Sequence, residues 1–167
     1  MGTHVALVAN STVRLSPGWN AVFYWGVWAL CLTQAYALER DSQMARAYAE
    51  EARRAFEEQV RAAPGDAQRR LCLGLALAYL GRKEDAIREG ERGLALDPVS
   101  MDAENGPYYQ HQLVRIYTLV GEPEKALDRL EPLLRIPAWI SPGLLRIDPN
   151  FDSLRQNPRF QKLIAAS

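Results

Sequence analysis

Cysteine and histidine are scarce in this 167-residue chain. Cys31, Cys72, His4 and His111 are the whole supply. They are too few for a disulfide scaffold, and no set of them has the spacing of a metal site. So few thiols fit a reducing compartment. An excess of one charge is also missing, since 20 Lys and Arg balance 20 Asp and Glu. That removes the basic surplus typical of a nucleic-acid binder. The longest apolar run, Ala21 to Leu32, falls well short of the ~20 residues that cross a membrane. The opening residues have no basic n-region of a signal peptide. A cytoplasmic location without membrane contact is therefore expected. No Gly-rich phosphate loop, nucleophile elbow or metal motif occurs, so neither a cofactor nor enzymatic activity is expected.

What the chain does have is apolar content, 48 % of residues against 24 % charged. That suffices for one real core. It is also repetitive. From Ala67 the pattern gives a helix to Leu80, a break at Gly81, a helix from Lys83 to Leu96 and a stop at Asp97-Pro98. Asp66 is a good N-cap, and Gly81 suits a left-handed helix terminator. Leu73, Leu77 and Leu80 form one stripe. Ala86, Ile87, Gly90, Gly93 and Leu94 form the next. The stretch from Pro107 to Ile140 has the same layout, with Leu113, Tyr117 and Val120, then Gly121, then Pro123 opening a helix with Ala126, Leu127, Leu130, Leu133 and Leu134. Met101 to Gly106 are inserted between the two units. An earlier copy has Leu32, Tyr36, Ala45, Ala49 and Ala52 at equivalent spacings. Its turn is at Arg40-Asp41-Ser42 without a glycine, with Asp41 or Ser42 as cap. Its second helix runs on to Ala63, and Pro64-Gly65 stops it.

These spacings resemble tetratricopeptide (TPR) repeats, ~34-residue helix–turn–helix units with small residues where paired helices touch. The middle unit matches at Leu73-Gly74, Leu77, Gly81, Ala86, Gly93 and Pro98. The third unit matches at Leu113, Tyr117, Gly121 and Ala126, and departs at Val114 and Leu133. The first matches at Leu32, Tyr36, Ala45 and Ala52, and departs in its turn and its long second helix. The resemblance implies an all-α fold: a short right-handed α-solenoid of three TPR-like helix pairs, about residues 26–64, 67–100 and 107–140. Within it, the repeat region is 20–140 and an N-terminal arm is 1–19.

Residues 141–167 carry three cap-plus-proline helix starts, Ser141-Pro142, Asp148-Pro149 and Asn157-Pro158. Three short helices bearing Leu144, Leu145, Ile147, Phe151, Leu154, Phe160, Leu163 and Ile164 are expected to cap the open repeat end. This ending looks like that of many bacterial TPR regions, which often follow a kinase, nucleotide cyclase or DNA-binding domain. In the arm, Val5-Ala-Leu-Val and Thr12-Val-Arg-Leu read as short strands, and Ser16-Pro17-Gly18 as a turn.

Candidate chemistry is sparse. Cys31 and Cys72 occupy equivalent positions on neighbouring units. Packed helices there are ~8–10 Å apart, beyond disulfide reach, so two buried free thiols are expected. Tyr108, His111 and Arg115 share one helix face. In TPR proteins that face lines the concave groove. The resemblance makes it an anion-tolerant peptide site, with Arg115 as charge, His111 as donor and Tyr108 as wall. The alternative is an ordinary solvated helix face. The corresponding groove residues of the middle unit are Gln68, Leu71, Leu75 and Tyr79. The Lys and Asn pattern by which chaperone-binding TPR domains clamp a terminal carboxylate is not found in these residues. Glu50-Glu51 and Glu57-Glu58, among several arginines, read as exposed i,i+4 charge lacing rather than acid–base pairs. Trp19, Phe23, Tyr24, Trp25 and Trp28 exceed what one helix can bury. They pack on the arm or form a self-association patch giving a homodimer through the N-terminal end.

The expected function is thus a non-catalytic interaction module holding a protein or peptide, with no nucleic acid and no metal. The alternative is a regulatory or sensory segment derived from a multidomain kinase, cyclase or transcription regulator.

Overall fold

A computed structural model describes residues 19–165, with their side chains from residue 24 onward. The strands and turn expected in 1–18 lie outside the described residues. Within them the chain is all-α. The elements are α1 (Trp19–Leu38), α2 (Ser42–Ala62), α3 (Ala67–Tyr79), α4 (Lys83–Leu96), α5 (Gly106–Leu119) and α6 (Pro123–Leu133). They are followed by α7 (Pro142–Ile147), a 3-10 helix (Pro149–Leu154) and α8 (Pro158–Ala165). No helix among the described residues is long and apolar enough to cross a membrane.

Each of the first five helices packs on the next, and α3 also packs on both α1 and α5. Helices α1, α3 and α5 thus form one layer and α2, α4 and α6 the other. Small residues set the approach between layers. A Cβ added at Gly74 of α3 would meet the Ala86 carbonyl of α4 at 3.1 Å, and one added at Gly90 of α4 would meet the Ile116 side chain of α5 at 2.8 Å. One added at Gly93 would meet Leu71 at 2.8 Å and the Ala67 carbonyl at 3.0 Å. These glycines weaken their helices intrinsically but let the backbones close.

The turns inside the pairs share one geometry. Gly81 and Gly121 sit at φ +75° and +74°. The Gly81 amide donates to Ala78 O at 3.0 Å and the Arg82 amide to Leu77 O at 2.9 Å. The matching bonds at the third pair are Gly121 to Thr118 (3.3 Å) and Glu122 to Tyr117 (2.8 Å). The first pair makes the same bonds, Arg40 to Ala37 (3.1 Å) and Asp41 to Tyr36 (2.9 Å). There the left-handed residue is Arg40, at φ 62°. All three are Schellman-type helix ends. Asp41 then caps α2 by accepting from the Met44 amide, and Asp66 caps α3 through the Arg69 amide.

The tail starts its helices where the cap-plus-proline pattern puts them. Ser141 accepts from Leu144 N, Asp148 from Asn150 N, and Asn157 from Arg159 N. Leu145, Phe151, Leu154 and Phe160 are all buried and Leu144, Leu163 and Ile164 half-buried, but Ile147 at the end of α7 is exposed, contrary to expectation. Arg159 fastens α8 to α6 by bonding Glu131 (2.6 Å), Asp128 (2.8 Å) and Glu124 (3.0 Å). The 3-10 helix lies elsewhere, packed on α5. The tail therefore does two jobs, covering the end of the array with α8 and part of the α1/α3/α5 layer with the 3-10 helix.

Candidate functional site

Tyr108, His111 and Arg115 were expected on an open groove. They do share one face of α5, but His111 and Arg115 are buried, at 5 % and 8 % exposure. The cover is the chain's own tail. The His111 ring meets Trp139 edge-on at 4.8 Å and Phe151 at 5.8 Å. Phe151 stacks in turn on Phe160 at 6.1 Å. Neither ring nitrogen of His111 has a hydrogen-bond partner. Burial, reinforced by the nearby Arg115 charge, lowers His111 to about 4. It is therefore a neutral ring at pH 7 and not a donor to an anionic ligand.

Arg115 is spoken for as well. One terminal nitrogen donates to Gln112 Oε1 at 3.0 Å. The other donates to Gln34 Oε1 on α1 at 2.8 Å and to Asn150 Oδ1 of the 3-10 helix at 3.2 Å. Because α3 lies between α1 and α5, this side chain ties the third pair to the first. The expectation of an exposed charge for acidic peptides is thus corrected. The guanidinium holds the layer together through neutral amide acceptors.

In the middle unit, Leu71 faces Gly93 of α4 and is 1 % exposed, and Leu75 is 2 % exposed. Both belong to the core rather than to a groove wall. Gln68, Tyr79 and Tyr108 stay half-buried. Desolvation raises the Tyr79 and Tyr108 phenols.

Among the described residues, this layer has a cleft of about 280 Å³ where α1, α3 and α5 end. Leu38, Tyr79 and Leu119 come from those helices, and Pro149, Asn150 and Ser153 from the 3-10 helix. The walls are mainly apolar, with amide and hydroxyl groups among them. Sequence reasoning found Tyr79 but missed the others, because they become neighbours only when the tail folds back.

The two thiols part company. Cys72 is buried, which pushes it up to about 12. Cys31 is exposed, contrary to expectation. Its side of α1 has no helix packed against it among the described residues. Glu50 and Glu57 each pair with Arg53, and Glu51 with Arg54. They lace α2 at spacings of three as well as four residues, with Arg53 half-buried rather than exposed.

The aromatic cluster is partly open. Tyr24 is 60 % and Trp25 49 % exposed. Trp25 meets Trp28 at 5.1 Å, Trp28 meets Tyr48 edge-on at 6.1 Å, and Tyr48 stacks on Tyr36 at 5.5 Å. These rings form a continuous ladder from α1 onto α2. The side chains of Trp19 and Phe23 lie outside the described residues.

Comparison with protein-family models, curated proteins and solved structures gives no match, so the function is argued from the geometry alone.

Proposed function

We propose that the chain is a short TPR-like α-solenoid and a non-catalytic, cytoplasmic interaction module for a protein or peptide rather than for nucleic acid. One observation supports the repeat reading most strongly. The same two-bond turn, with its left-handed residue, recurs at Arg40, Gly81 and Gly121, each between two packed helices. Units built this way stack on their neighbours and present an extended surface suited to a partner chain.

The ligand segment enters the cleft between Tyr79, Leu119 and the 3-10 helix. Its apolar walls and edge amide match a peptide segment with one apolar anchoring side chain. An acidic segment fits poorly, because Arg115 already bonds Gln34, Gln112 and Asn150. Affinity capture from the native host, read by mass spectrometry, tests this with wild type beside Leu119→Arg and Ser153→Arg. Both positions are exposed, so both variants fold. A partner retained by wild type and lost by both variants supports the cleft. Equal retention by all three places binding elsewhere.

A further inference from the structure

Helix α1 carries no charged residue along its whole length, Trp19–Leu38. A helix at the edge of a protein normally turns a charged or polar stripe to water. Here the outward stripe is Tyr24, Trp28, Cys31, Ala35 and Leu38. Tyr24, Cys31, Ala35 and Leu38 are exposed and Trp28 is half-exposed. These positions step by four, three, four and three. That is the alternation of a helix that seats against another helix. At the other end of the described residues, α8 packs on α6.

We propose that this face binds a second copy of the chain, α1 against α1 in antiparallel order, with the two-fold axis passing close to Cys31. The axis position follows from residue size. The N-terminal half of the stripe is bulky, with Tyr24 and Trp28, and Trp25 flanks it. The C-terminal half is slim, with Cys31, Ala35 and Leu38. Antiparallel order sets bulky against slim on both sides of the axis. Parallel order sets Trp28 against its own copy. A self-complementary patch is what a closed dimer requires.

The area is adequate. Exposed aromatic side chains contribute on the order of 100 Å² each at half exposure, so with Leu38 and the smaller residues the face offers roughly 400–500 Å² of apolar surface. A stable interface covers ~800 Å² per partner, of which roughly 60 % is apolar. The ring ladder from Trp25 to Tyr36 is already packed, so little side-chain freedom is lost on pairing.

Sedimentation of the full chain tests the pairing. The expected mass at tens of micromolar is twice the 18.8 kDa of one chain. Ala35→Glu, at a position exposed in the single chain, sets a desolvated carboxylate opposite Trp28 of the second copy. It should return the mass to 18.8 kDa while the helical signal and a cooperative melt are kept, the midpoint falling only by what dimer formation contributed. A short bis-maleimide should link wild-type chains into a covalent dimer and leave Cys31→Ser chains unlinked, since Cys72 is buried. In the Cys31→Ser background, mixing Tyr24→Cys with Leu38→Cys chains should give a mixed crosslinked pair. Wild type at 18.8 kDa throughout overturns the proposal. So does a dimer that survives Ala35→Glu, or one in which each cysteine variant crosslinks only to itself.

Discussion

His111 is a buried base without a hydrogen-bond partner, which makes the fold sensitive to acid. Its value of about 4 lies below the ordinary 6.5. The unfolded chain therefore binds the proton more readily than the folded one. Its contribution is complete above pH 6.5, shrinks as pH falls, and is gone near pH 4. By linkage the loss is about 3 kcal/mol. Denaturant melts of wild type and His111→Phe should diverge across that window, with the variant losing less stability. Parallel curves would mean the ring is hydrated and titrates normally. Arg115→Glu puts a carboxylate against the oxygens of Gln34 and Asn150, and should cost on the order of 3 kcal/mol or more. A melt within a degree of wild type would show that the bridge to α1 does not hold in solution. The spacing of Tyr108, His111 and Arg115 was legible in the sequence, as was their shared face. Their burial was not, because the residues that cover them, Trp139, Asn150 and Phe151, follow a whole further helix.

At the level of elements, the turns inside the helix pairs are the most informative parts. A Cβ at Gly81 would touch nothing within 4 Å. Gly81→Val is thus a test of backbone strain alone, with an expected cost of about 1–3 kcal/mol. Arg40 bears the same strain in wild type, at φ 62°. Arg40→Gly should therefore gain up to about 1 kcal/mol, even though glycine usually destabilises. Opposite shifts in the denaturant midpoint are the expected result. Shifts of the same sign would mean that the two turns are not equivalent in solution. The glycine-marked turns were readable because glycine advertises a positive φ. The Arg40 turn was located only by its neighbours, Asp41 and Ser42, since no property of arginine signals a left-handed backbone. The tail helices were legible for a similar local reason, as each begins with a polar cap followed by proline. Which surface each would cover depends on distant partners such as the three carboxylates around Arg159, and no local pattern encodes that.

Across the whole molecule, the tail is part of the core rather than an appendage. Removing residues 151–167 strips away Phe151, Leu154 and Phe160 and uncovers His111, Leu130 and Leu133, all buried. The truncated chain should aggregate or melt over a broad range. A sharp, monomeric melt would show that the six long helices suffice. The bond from Arg115 to Gln34 has a different consequence. A stack whose units touch only their neighbours can fray from one end, each unit opening almost independently. A contact between residues 81 positions apart forbids that. The first pair cannot peel off without releasing the third, so opening becomes a shared event. Amide protons of α1 and α5 should then exchange with the same free energy, as members of one cooperative unit. Gln34→Ala should divide that unit, letting α1 exchange freely while α5 keeps its protection.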